Sequence, residues 1–339
     1  MQTGDFMRIG RKERLTILFC TIIFPAVICS LVYPVRYKKS EPVIGTEEIA
    51  TLASEETNGS EYTIRLLDED GTVSEMSLEK YIAGVVLKEM PSNFAPEALK
   101  AQAVAARTYT LRRSIYQGKH ENADVCTDPE CCQAFMNEYT YLERGGNQEG
   151  LSVIRDAVEA TEDLVMVYEG RLIEATYFSS SGGMTESAVA VWGSDVPYLR
   201  ATESPGEEKS EHFTESRFFS GIELEKALGI KREGNPAISV SELHYTEGQG
   251  IDTVKIGGKL FTGTELRKLL NLRSTAITIH PTGDGLTIVT KGYGHRVGMS
   301  QYGADAMGRN GSDFKEILLY YYSGVTICSR QDAGIPDKH

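Results

Sequence analysis

A run of 19 residues without a single charge, Leu15 to Tyr33 (LTILFCTIIFPAVICSLVY), is the strongest constraint in this sequence. As a helix rising 1.5 Å per residue it spans about 28 Å, close to the hydrocarbon thickness of a bilayer. Arg8, Arg11, Lys12 and Arg14 precede it and favour a cytoplasmic N-terminus. Pro25 does not forbid insertion. No small-x-small cleavage pattern follows the run, and Arg36, Lys38 and Lys39 come directly after it, which argues against a cleaved signal peptide. Ile28 before Cys29 argues against lipidation of that cysteine. The expectation is a single-pass membrane protein: a cytoplasmic tail over 1–14, an anchor over 15–33, a flexible acidic linker over 34–61, and a folded body outside the membrane.

Beyond Tyr33 the chain carries a net charge of −15, against −13 for the whole. Such a surface repels a polyanion, so nucleic-acid binding is excluded as the main function. The 41% hydrophobic content fits a folded body, expected over 62–325, with an insertion or flanking subdomain over about 202–275 and a tail over 326–339.

Inside that body, SLEKYIAGVVLKEMP (77–91) reads as one helix, with Ser77 as its cap and Pro91 as its stop. Tyr81, Ile82, Val85 and Val86 form an apolar stripe. Glu89 falls at about 20° from Leu78 on the helical wheel, within that stripe. A carboxyl group facing a core or a cleft floored by the core has a raised pKa, which suits a general acid, and the negative end of the helix acts in the same direction. Pairing with a buried arginine is the alternative. A second helix follows from Pro96 to near Gly118, rich in alanine, with Gln102 and Tyr109 on one edge as core or cleft lining.

Three blocks resemble a known family: YIAGVVLKEMPSNFAPEALKAQAVAARTYTL, ATYFSSSGGMTESAVAVWGSDVPYL and GYGHRVGMSQYGADAMGRNGSDFKEILLYYYSGV. In this order they are similar to the stage II sporulation protein D family. The resemblance implies a lytic transglycosylase that cuts peptidoglycan at the engulfing septum of spore-forming bacteria. It makes Glu89, before Met-Pro, the catalytic residue. It also implies glycan strands stripped of stem peptides as substrate, with stage II sporulation proteins P and M as partners. Relatives sharing the domain stimulate an amidase, so a non-catalytic glycan-binding activator is the competing expectation. A purely structural septal scaffold is a third.

Residues expected to hold the sugars are Gln102, Arg107, Tyr109, Tyr177, Ser179, Ser180, Ser181, His295, Gln301 and Tyr302. The Ser179–Ser181 run ends a hairpin strand, where hydroxyls and free amides bind ring substituents or make a plain polar turn. No G-x-S-x-G surrounds it, which argues against a nucleophilic serine. Gly292 and Gly294 start a dinucleotide-like pattern that Val297 breaks. His295 is read as orienting Glu89 or capping a turn, and Trp192 as core.

His120, Cys126, Cys131 and Cys132 gather in KHENADVCTDPECCQ. A tetrahedral structural zinc, with one or both of the adjacent cysteines as ligands, competes with a Cys126–Cys132 disulfide, and His120 favours zinc. The proposed chemistry needs no cofactor. The expected fold class is α+β: helices carrying Glu89 packed on antiparallel strands, with a small β-rich flanking subdomain and one transmembrane helix.

Overall fold

The computed structural model describes residues 62–116, 118–211, 213–231 and 237–336. The expected cytoplasmic tail, anchor and linker lie outside the described residues, and among those described no helix is long and apolar enough to cross a membrane.

Helix α1 covers Leu78–Glu89. The Ser77 hydroxyl accepts from the Lys80 amide at 3.3 Å, and Met90 turns extended ahead of Pro91, whose ring disfavours a helical conformation at the residue before it. Tyr81, Ile82, Val85 and Val86 are fully buried, each contributing about 1.5–3 kcal/mol of transfer free energy. They face α2 (Pro96–Tyr116), whose run of buried alanines, Ala98, Ala101, Ala103, Ala105 and Ala106, lets neighbours come close. Further helices follow: α3 (Glu138–Glu143), α4 (Gln148–Glu159), α5 (Ala188–Trp192), α6 (Gly221–Leu228), α7 (Gly263–Leu269), α8 (Gln301–Arg309) and α9 (Phe314–Tyr321). Helices α1, α4, α8 and α9 surround α2, which makes it the central strut of the main core. Gly84 on α1 is required for packing. A Cβ there would strike the Phe135 ring, which stacks on Tyr81 with centroids 5.5 Å apart.

Small sheets surround these helices. Strands Thr63–Leu67 and Val73–Ser77 form a hairpin that Val125–Cys126 joins in parallel. Leu164–Tyr168 pairs with Arg171–Leu172 and with Thr326–Ser329, so residues assigned to the tail by sequence complete a sheet. Tyr177–Phe178 and Met299–Ser300 pair in parallel, bringing two distant sequence blocks side by side. The architecture is mixed α+β with several small sheets.

A second core, separate from the first, draws its residues from Phe219 to Ile288. It lies between α6, α7 and two three-stranded antiparallel sheets, one centred on Ile251–Ile256 and the other on Gly285–Lys291. Its alternating strands bury Val254, Ile256, Leu286 and Ile288 on one face, the period-2 pattern of a one-sided sheet.

Arg107, expected among the substrate-binding residues, lies inside the main core. Its guanidinium donates to Glu79 at 2.8 and 2.5 Å, and to the carbonyls of Leu164 and Val158 at 3.1 and 3.4 Å. The side chain of Arg107 is inaccessible and that of Glu79 is 23% exposed. Arg107 therefore ties α2 to α1, to α4 and to the chain that follows α4. Removing the carboxylate would strand a buried cation. Glu79→Ala is expected to lower unfolding free energy by about 3–5 kcal/mol, read as a lower denaturant midpoint with an unchanged m-value.

Candidate active site

The end of α1 opens onto a groove of about 1010 Å³. Glu89 lines it from the last helical turn. Burial pushes its carboxyl above the ordinary carboxylate value, while a hydrogen bond from Gln301 and the charge of Lys88 act the other way and do not cancel it. Gln301 is the first residue of α8, and its Nε2 donates to Glu89 Oε2 at 3.0 Å.

The two elements are locked together. The Ser300 hydroxyl caps α8 by accepting from Gly303 N at 3.2 Å. Asp305 Oδ1 accepts from Ala95 N at 2.6 Å, and Arg309 donates to the Asn93 carbonyl at 2.7 Å. The loop between α1 and α2 is thus fastened to α8, which fixes the Gln301 amide against Glu89.

Of the residues expected to bind sugar, Tyr109, Tyr177, Ser179, His295 and Gln301 line this groove with Glu89. The Tyr177 hydroxyl donates to Gln133 Oε1 at 2.8 Å, and the Gln133 amide donates to Thr110 at 2.8 Å. The remaining candidates sit elsewhere. Gln102 is fully buried, with no hydrogen-bond partner for either amide atom among the described residues, and is not a groove residue. Tyr302 packs edge-on against Phe94, its ring centroid 5.0 Å away. Ser180 and Ser181 are buried against Glu207.

Glu207 is a residue that sequence reasoning missed. Its carboxylate, 1% exposed, accepts from the hydroxyls of Ser180, Ser181, Ser204 and Ser300 and from the amides of Ser181 and Gly182. This ring of donors satisfies a buried charge and joins the Ser179–Gly183 turn to the cap of α8. Gly292 crosses that turn so closely that a Cβ would strike the Ser180 carbonyl, and its φ of 78° lies in the region that favours glycine. The glycine-rich block therefore serves backbone crossing.

His295 makes no hydrogen bond to Glu89 among the described residues. Its Nδ1 accepts from Val297 N at 3.1 Å, which caps the turn. Burial, with the Arg267 guanidinium nearby, lowers its pKa to about 4, so the ring is neutral near pH 7. Trp192, read from sequence as core, is instead 44% exposed on the groove wall, its ring 5.6 Å from that of His295. The exposed indole face comes from its position at the end of α5, where Gly193 in a left-handed conformation turns the chain away. Arg267 and Tyr293 also line the groove. Nothing in the local sequence of Arg267 marks it as functional, whereas Tyr293 lies within the glycine-rich block beside His295.

His120, Cys126, Cys131 and Cys132 bring their ligand atoms within 4.8 Å of one another. His120 Nε2 lies 3.5 Å from Cys132 Sγ and 3.7 Å from Cys131 Sγ, and the latter two sulfurs are 4.0 Å apart. A zinc tetrahedron with Zn–S about 2.3 Å and Zn–N about 2.0 Å has edges of about 3.5–3.8 Å, close to the separations among His120, Cys131 and Cys132, with the Cys126 sulfur within 4.8 Å of them. The three cysteines are free thiols. The loop that carries them continues into Cys132, Gln133 and Ala134 on the groove wall.

A family profile described as stage II sporulation protein (SpoIID) matches residues 68–168. Stage II sporulation protein D of Bacillus subtilis (strain 168) is 37% identical over 266 residues, covering 77% of this chain and 77% of the relative. The protein of the same name from Bacillus amyloliquefaciens is 36% identical, covering 80% and 82%. The amidase enhancer of Bacillus subtilis (strain 168) is 32% identical over 301 residues, which are 73% of this chain and 40% of that longer protein. Matched along most of its length and carrying Glu89 at the mouth of a groove, this chain belongs to the stage II sporulation protein D family.

Proposed function

We propose that this protein is a membrane-anchored lytic transglycosylase that cleaves peptidoglycan glycan strands between N-acetylmuramic acid and N-acetylglucosamine. The observation that carries this reading is Glu89: one carboxyl group with a raised pKa, held by Gln301 on a groove large enough for several sugar rings. Ordinary glycosidases need two carboxyl groups at a set spacing. A lytic transglycosylase uses one twice. Protonated Glu89 donates its proton to the glycosidic oxygen as the bond from C1 of N-acetylmuramic acid breaks. The resulting carboxylate takes the proton of that sugar's C6 hydroxyl, whose oxygen bonds to C1 and closes a 1,6-anhydro ring. The proton returns to Glu89, and no water is consumed.

Family membership and the charge pattern around Leu15–Tyr33 support a setting outside the cell membrane, at the sporulation septum, beside stage II sporulation proteins P and M. In the same reading His120, Cys126, Cys131 and Cys132 hold a structural zinc that stiffens the groove wall at Cys132–Ala134. The chemistry itself uses no cofactor. The relative named amidase enhancer favours one second reading, a glycan-binding activator of an amidase.

Glu89→Gln keeps the shape of the side chain and removes its proton. Strand cleavage is expected to fall at least about 100-fold, with wild-type products ending in 1,6-anhydro sugars by mass spectrometry. Reducing ends alone would refute the transglycosylase. Amidase stimulation that survives the substitution, with no cleavage by the wild type, would establish the activator instead.

The first step needs the protonated acid, so the rate declines as pH rises through the Glu89 pKa. Gln301→Leu removes a donor that stabilises the carboxylate. Its alkaline limb is therefore expected at higher pH than that of the wild type, in a pH–rate profile of kcat/KM. For the metal site, equimolar zinc is expected in purified protein, and Cys132→Ser or chelation is expected to lower the melting temperature. Metal-free protein of unchanged stability would remove the zinc.

A further inference from the structure

Arg267 stands on the groove beside His295, where the groove meets a side recess of about 330 Å³. The other arginines on the groove, Arg112 and Arg113, are matched by Glu174, with N–O distances of 2.7 and 3.3 Å. Arg267 has no hydrogen bond or ion pair among the described residues. It is half-buried, and desolvation pushes its guanidinium below its usual value, with Tyr293 acting the other way.

The fold holds it there. Helix α7 is capped by Thr262 and Glu265 in a reciprocal box, and its buried Leu266, with Leu270 just beyond its end, fastens it to the second core. Lys268 lines the side recess with Arg267, and no aspartate or glutamate does. In a chain of net charge −13, a recess with two cations and no acid is built to attract an anion. His295, the one other titratable group on that wall, is neutral near pH 7.

We propose that Arg267, supported by Lys268, forms an anion subsite for the free lactyl carboxylate of N-acetylmuramic acid. This rests on the glycan-cleaving reading above and names the group that selects its substrate. The backbone of the glycan strand is uncharged. The lactyl ether on its muramic acid is an acid only when no peptide is attached, because the amide to a stem peptide neutralises it. That carboxylate lies one ether linkage from the ring, the reach needed by an acid leaving a sugar beside Trp192 and His295 for a recess that opens at the same wall. Planar guanidinium and carboxylate pair through two parallel hydrogen bonds, which a neutral amide cannot reproduce. The subsite thus assigns to Arg267 and Lys268 the selection of the peptide-free strands that the family resemblance already implies.

The test is a binding measurement on full-length protein in detergent, in a Glu89→Gln background so that no strand is cut. Its probes are peptide-free glycan oligosaccharides, the same oligosaccharides with lactyl groups converted to methylamides, and peptide-bearing strands. The expected result is about 10- to 100-fold weaker binding of the methylamide than of the free acid. Adding Arg267→Gln should weaken binding of the free acid by a similar factor and leave the methylamide unchanged, while Arg267→Lys restores part of the loss. Equal affinity for acid and methylamide would overturn the subsite. So would an Arg267→Gln effect of the same size on both probes, since that marks a merely structural role. Preference for peptide-bearing strands that depends on Arg267 would overturn it too, by assigning the cation to a stem-peptide carboxylate. These outcomes are independent of cleavage: absence of 1,6-anhydro ends with wild-type protein refutes the transglycosylase, whatever the binding result.

Discussion

The hydrogen bond from Gln301 to Glu89 joins residues 212 positions apart, and the groove depends on the elements that make it possible. Glu89 ends a helix whose apolar stripe is clamped on α2. Gln301 begins a helix whose cap is tied to a buried glutamate, Glu207, and through it to the Ser179–Gly183 turn. A carboxyl group half-sunk in apolar surroundings prefers its proton. One neutral amide donor moderates that preference without introducing a charge, leaving a group that can give a proton and take one back.

Buried charges are divided by function in this protein. Arg107 with Glu79, and Arg296 with Glu186 at 3.2 Å, are desolvated pairs that fasten helices and loops. Arg296 also donates to the carbonyls of Ser181, Met184 and Gly248, which knits the second core to the Ser179–Gly183 turn. Such pairs are costly to break because the surviving partner is left uncompensated in low dielectric. Glu89, His295 and Arg267, none of which has an ion pair among the described residues, face the groove. A carboxyl tending to hold its proton, a neutral imidazole and a cation without an ion pair among the described residues give this groove three different capabilities within one cavity.

Two cores of unequal size build the walls. The main core supplies Glu89, Tyr109, Tyr177 and the loop with His120 and its cysteines. The second core supplies α7 and hence Arg267. Trp192, between them on α5, offers an exposed ring face of the kind on which sugars stack.

Local pattern alone was enough for α1 and α2, because cap, stop and apolar period agree there and the stripe places Glu89 on a side that must meet other protein. It was enough also to gather His120 with three cysteines, since the four fall within 13 residues. Helical spacing could not tell a core polar group from a groove polar group. Arg107 and Tyr109, two residues apart on α2, went to opposite fates because Glu79 waits on one side and the groove opens on the other. Nor could composition show that Trp192 would stay exposed, or that Glu207 would collect four serine hydroxyls. The sequence by itself determined which helix ends in an acid and which loop gathers soft ligands, because those depend on neighbours in the chain. Only the tertiary structure decided which side chains find counter-charges and which are left facing the groove, because pairing is settled by residues on other elements, 28 positions away for Arg107 and Glu79 and 110 for Arg296 and Glu186.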